Sequence, residues 1–214
     1  ISMTNRDLEL NATDLEKELD IKECHLLNDW ESIGYSLPLM TKNDFKVIKN
    51  GYMDNSQTCL AIGPGTGLGF SVLRYVGNVP YVYPTELGNA RSYNDHLSNL
   101  FEIDNCENFI VLEDYLSGTG IKKIYAEKSG QNLTTEEIVS GYLDDDLAKF
   151  ILNNFVVALN NILQDLALTF NAKGGIFFAG SLMRTISEMN SINYIKEEFN
   201  TVSYTHLTLP TKPF

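Results

Sequence analysis

Positive charge is scarce in this 214-residue chain: 16 Lys and Arg stand against 28 Asp and Glu, a formal net charge of −12 at pH 7. A surface of that sign repels phosphate backbones and anionic membranes, so neither nucleic acid nor membrane is an expected partner. An anionic ligand must instead be met locally, by backbone N–H groups or a metal ion. Cysteine is rarer still. Cys24, Cys59 and Cys106 are odd in number, far apart and never in a Cys-x-x-Cys pair, which excludes a disulfide framework or a cysteine zinc site. They read as reduced thiols, two of them within apolar runs of the core. No uninterrupted apolar run approaches the ~18 residues of a membrane span, and no signal-peptide pattern is read at the start. A soluble cytoplasmic protein is the expectation.

The ends lack the look of a complete domain. The opening "ISMTNRDLEL" reads as mid-domain, and the closing "VSYTHLTLPT" (Val202 to Thr211) resembles one reading frame of a transposase-based sequencing adapter. The expected organisation is one partial domain over residues 1–201, cut at both ends, with 202–214 a non-native tail left out of fold reasoning; the alternative is a genuine β-rich tail.

What the sequence does hold is periodic. Thr13-Asp-Leu-Glu16 has capping-box form and predicts a short helix through Leu19. "IKECHLLND" (Ile21 to Asp29) reads as a buried strand, and "WESIGYSL" restarts a helix that Pro38 interrupts. A polar connector, "TKNDFKVIKNGYMDNSQ", leads to a hairpin, Thr58 to Val76, and "VPYVYP" is the next strand. "TELGNARSYN" is a loop, residues 97–113 are mixed in pattern and read as helical, and "LSGTG" closes them with a turn. Thr134-Thr-Glu-Glu137 is a second capping box. Leu147, Ile151, Phe155, Leu159, Ile162, Leu166 and Phe170 then recur at three and four, one apolar face of a long helix. "AKGGIFFAGSL" is a short buried strand turning at Gly180, and a last helix spans about 183–199. This order predicts a mixed sheet flanked by helices, an α/β architecture.

The hairpin tip, "GPGTGLG", places four glycines in seven residues. It lacks the lysine of a P-loop and the spacing of a dinucleotide fingerprint. A run of free backbone N–H groups there can cradle an anion, or can simply turn the chain. Asn28 and Asp29 fall at the end of the expected strand, where α/β sheets present ligands; Asp29 there is a candidate base for a substrate hydroxyl, or merely caps the next helix. Glu86 and Glu113 lie in loops. Singly each reads as a solvated carboxylate, but together with amides they suit a neutral polyol, since each carboxylate accepts from two or more hydroxyls.

In order, "MTN", "LLNDWES", "GPGTGLG", "TELGN", "EDYLSGTG" and "GGIFFAG" resemble the bacterial-type glucokinase family, of the sugar-kinase, heat-shock-protein and actin superfamily. The resemblance runs from Ser2 to about Phe199. It implies an actin-like (ribonuclease H-like) ATPase fold, mainly the large C-terminal domain of a two-domain sugar kinase, phosphorylating glucose with ATP and Mg²⁺ in glycolysis. By position, Asp29 matches the catalytic base for the sugar 6-hydroxyl. Asn5, Asn28, Glu86, Asn89 and Glu113 match sugar-binding positions. Gly63, Gly65, Thr66 and Gly67 match the phosphate loop, and Gly180 and Ser181 the turn beside the adenosine; no protein metal ligand is implied. Glucose or a related hexose and ATP are the implied partners, and a homodimer is compatible with the family.

Two departures stand out. Asn89 replaces a histidine that commonly contacts the sugar, and Leu87 replaces a glycine, so hexose binding is better implied than glucose specificity. The family's N-terminal phosphate loop, expected before Ile1, and its last strand and helix are not in this sequence, so the chain as written is expected to turn over ATP poorly. A non-catalytic sugar-binding regulator on the same scaffold is the alternative. Asp29 favours the enzyme, because a sensor needs no base at the 6-hydroxyl.

Overall fold

The computed structural model describes residues 10–41, 43–49, 54, 56–189 and the backbone of 209–211. Asn5 and the expected helical stretch beyond 189 lie outside the described residues. Two short helices come first, α1 (Ala12–Leu19) and α2 (Asp29–Ser36), followed by strands β1 (Lys46–Lys49), β2 (Cys59–Pro64), β3 (Leu68–Val76) and β4 (Val79–Pro84). Helices α3 (Asn94–Phe101), α4 (Gly118–Ser129), α5 (Thr135–Ser140) and α6 (Asp146–Phe170) then lead to β5 (Gly175–Phe178), α7 (Ser181–Glu188) and β6 (Leu209–Thr211). They build one mixed sheet in the order β1-β6-β5-β2-β3-β4. The β2–β3–β4 meander is antiparallel, and β5 joins β2 in parallel.

Strand alternation divides the central side chains between two faces. Leu60, Ile62, Phe70, Val72, Ile176 and Phe178 meet α6 and the helices around it. Cys59, Ala61, Leu73 and Phe177 face α2, with Leu37, Val82 and partly buried Trp30, Ile33 and Phe45. Burial on both sides explains why β2 reads as an unbroken apolar run. Helix α6 anchors the larger core: Ile151, Phe155, Leu159, Ile162 and Leu166 are buried along one stripe. Each such side chain contributes about 1.5–3 kcal/mol on burial. The helix starts on Asp145, whose carboxylate accepts from the N–H groups of Leu147 and Ala148. It is also long and apolar enough to cross a membrane, a property that counting uninterrupted apolar runs misses; here its most apolar stretch is 61% buried in the protein core.

Several sequence expectations need correction. Helix α1 is capped by Asn11, whose side chain accepts from Thr13 N; Glu16 accepts instead from Cys24 N at 2.9 Å. Residues 21–28 form no strand, and Ile21 and Leu27 are 43% and 41% exposed. A strand requires a neighbour for its backbone groups, and among the described residues none lies beside this segment. Only Cys59 is a core thiol; Cys24 is half-buried and Cys106 exposed. The polar connector contains β1, and "LSGTG" opens α4 rather than closing a helix, because Ser117 caps it by accepting from Gly120 N. Helix α3 ends at Phe101, short of the expected span. The closing segment, left out of the sequence-based fold, contributes the three-residue β6, antiparallel to β1 and touching β5 at Phe178↔Thr211.

Candidate active site

The end of the sheet carrying the β2–β3 turn opens into a cleft of about 440 Å³. Asn28, Asp29, Trp30, Gly63, Gly65, Thr66, Gly67, Glu86, Glu113 and Gly180 all line it. Residues spread over most of the sequence thus converge on one concavity, as a binding site requires.

One wall is the start of α2. Asn28 is its N-cap, with Oδ1 accepting from Glu31 N at 2.6 Å, which leaves its amide NH₂ to donate. Asp29, an alternative cap in the sequence reading, is the first helical residue and is exposed. One of its carboxylate oxygens, Oδ1, accepts from Trp30 N at 3.0 Å. The side chain is therefore attached to the helix start yet open to solvent on the cleft side.

The opposite wall is the hairpin tip. Pro64 pairs with Leu68, so residues 65–67 form the turn itself, closed by Gly65 N donating to Gly67 O at 2.8 Å. Its outer side is bonded to the first residue of α4, Gly118 N donating to Gly65 O at 2.7 Å. Glu113 reaches under the turn, where its Oε2 accepts from Leu68 N at 3.2 Å. Gly67 and Gly88 leave room for that carboxylate: a Cβ on either would come within 2.7 and 2.8 Å of Oε2. A short 3-10 turn, Leu112–Asp114, carries Glu113. It is pinned by Asp114, which accepts from Ile110 N and Val111 N and meets Lys123 Nζ at 2.6 Å. Burial pushes the Asp114 pKa up, but these hydrogen bonds and the Lys123 charge outweigh it and hold the carboxyl below its ordinary value.

Glu86 precedes a second 3-10 turn, Leu87–Asn89, and is exposed to the cleft. Asn89 stands outside the lining but donates from Nδ2 to Glu86 Oε2 at 3.4 Å, so it orients that carboxylate. Leu87 packs on the main core, which accounts for an apolar residue in this loop. Gly180 links β5 to α7 with φ 102, a conformation side chains resist. Ser181 is exposed and off the cleft lining. Sequence reasoning missed Trp30, Gly69 and Thr85, whose Oγ1 donates to Phe70 O at 2.9 Å. Among the described residues no three Asp, Glu, His or Cys side chains gather to hold a metal ion.

A mixed sheet of this order, with a glycine turn and carboxylates at one end, has the fold of the actin-like sugar kinases. A glucokinase from an Antarctic psychrotroph superimposes with TM-score 0.68 at 21% identity, over 94% of this chain and 68% of that one. A ROK-family glucokinase from Streptomyces griseus, solved with glucose and AMPPNP, gives 0.58 at 13% identity, over 93% and 66%. A ROK-family transcriptional regulator gives 0.64 at 16%, over 97% and 52%, so fold alone does not separate kinase from regulator. The glucokinase family model matches residues 1–208, and the chain belongs to that family. The glucokinase of Saccharophagus degradans is 28% identical over 206 residues, 91% of this chain but 64% of its own length. The chain thus spans just under two thirds of that relative.

Proposed function

We propose that this chain carries much of the active site of an ATP-dependent hexose kinase that converts glucose to glucose 6-phosphate. The observation that carries this reading is one cleft lined together by Asp29, the Gly65–Gly67 turn, Glu86 and Glu113. Glu86, Glu113 and the free amide of Asn28 offer acceptors and donors to sugar hydroxyls. The Asp29 carboxylate accepts the proton of the 6-hydroxyl as that oxygen bonds to the terminal phosphorus. The bond from phosphorus to the bridging oxygen breaks, and its electron pair leaves with ADP. Phosphoryl transfer asks the protein chiefly for positioning and charge stabilisation. The hairpin turn and Gly180 suit a close approach of phosphate and nucleotide to bare backbone. Mg²⁺, when bound, neutralises phosphate charge.

The test is an assay of the full-length protein with glucose and MgATP, beside Asp29→Asn. Loss of about 10²- to 10⁴-fold in kcat with glucose still bound is the expected result for a general base. Equal rates for the two proteins would remove the assignment. Glucose binding without turnover by the unmodified protein would favour the regulator.

A further inference from the structure

We infer that Trp30 is a positioning residue: its indole, seated on the Gly63–Gly69 pair, sets the Asp29 wall of the cleft against the phosphate-turn wall. This inference rests on the kinase reading above and goes beyond it. Gly63 and Gly69 are directly opposed across the β2–β3 ladder. A Cβ on Gly69 would lie 1.6 Å from Trp30 Nε1, and one on Gly63 would lie 2.2 Å from its Cη2. The two missing side chains therefore leave a flat seat that the indole fills. Neither glycine has a positive φ, so the requirement is for space and not for backbone conformation. Gly63 is hemmed from another side too, where a Cβ would lie 2.4 Å from Ala179 O in the turn before Gly180.

The consequence for the cleft follows from where the seat lies. Along β2 and β3 it is one residue pair below Pro64 and Leu68, which close the turn. Along α2 it is the residue after Asp29. One rigid aromatic contact thus spans from the base to the phosphate turn. The remainder of α2 is held separately: Gly34 sits against Val82 and Ser71, where a Cβ would come within 2.7 and 2.9 Å. Losing the indole leaves this second attachment in place, so α2 stays on the sheet while its first turn loses register. The expected defect is therefore in transfer, with folding and sugar binding kept.

A double-mutant cycle in the full-length protein tests this, using Trp30→Ala, Gly69→Ala and their combination, with Trp30→Phe as the conservative variant. Displacing reacting groups by about 1 Å can cost on the order of 100-fold in rate. We expect each single variant to lose about that much kcat while KM for glucose, held by Glu86 and Glu113, changes less than about threefold. Adding Gly69→Ala to Trp30→Ala should cost nothing further, because the clash needs the indole. Trp30→Phe should recover most of kcat, and the fluorescence component missing from it should shift red in Gly69→Ala. Near-normal kcat in Trp30→Ala, or full additivity of the two losses, overturns the seat. Asp29→Asn run alongside keeps the two ideas distinct. If it is inactive while Trp30→Ala is active, the seat fails and the base stands; if it is fully active, the base fails first.

Discussion

The two walls of the cleft are built on different principles. The hairpin wall is cross-bonded from several directions: Gly118 to Gly65, Glu113 to Leu68, Ser117 to the Glu113 carbonyl, and Asp114 to two N–H groups and Lys123. Behind it stands the α6 core. The α2 wall has no such frame. Its candidate base is exposed, the segment leading into it pairs with no strand among the described residues, and α2 is held on the sheet by packing at Trp30 and Gly34. A binding surface for sugar and phosphate profits from being fixed in advance. On the proposed reading, the base is carried by the less cross-bonded wall, which leaves it freer to adjust to a bound hydroxyl.

That contrast is broken most sharply at Asp29. Asn at this exposed position should leave the unfolding free energy within about 0.5 kcal/mol of the parent, while abolishing most turnover as stated above. The mirror experiment is Phe155→Ala in α6, fully buried in the core behind the hairpin. It should cost about 3–5 kcal/mol in urea denaturation yet leave KM for glucose unchanged wherever the protein remains folded. A large kinetic defect there, or a large stability loss at Asp29, would show that the walls are not separable.

Much of this organisation was legible in the sequence, for physical reasons that also mark its limits. The apolar stripe of α6, the Thr134 capping box and the hairpin around the glycines are local patterns, and each appears where the residues place it. The segment 21–28 failed because apolar spacing says nothing about whether a neighbouring strand exists. "LSGTG" failed because glycine was read as a breaker. Gly118 and Gly120 instead make room for the backbone of Gly65 and Asp114, which a Cβ would meet at 3.0 and 2.8 Å. The glycine run carried the same ambiguity. Its first and last members serve the indole, which no spacing along the chain reveals. The order of motifs picks out the candidate residues; only the fold shows that Asn28, Asp29, Glu86, Glu113 and the glycine turn line one cleft.

Smaller effects sharpen the comparison. Glu113→Ala removes the proposed sugar acceptor and the partner of Leu68 N; an orphaned buried N–H costs about 1–3 kcal/mol. We expect KM for glucose to rise at least about tenfold, with a measurable fall in stability. Asn28→Ala should lose about 1 kcal/mol of helix cap and weaken glucose binding. Asn28→Ser should restore the stability without restoring KM, since a hydroxyl caps but is too short to replace the amide donor.

The last test concerns the clamp behind Glu113. Asp114 has its carboxyl held below the ordinary value, so it contributes stability above the unfolded aspartate pKa of about 3.9. That contribution is lost as pH falls through the lower folded value. Asp54, Glu137 and Asp145 are displaced in the same direction, so total acid unfolding cannot isolate one of them. The difference between the parent and Asp114→Asn can. Near pH 7 the variant should be less stable by about 0.2–1 kcal/mol, the range of partly exposed ion pairs. The two curves should converge as pH falls through the lowered folded value of Asp114, where the carboxyl becomes protonated and the Lys123 attraction disappears. A gap that persists unchanged at low pH would mean that the clamp works through shape and not charge. In that case the hairpin wall, like the α2 wall, would owe its register to packing.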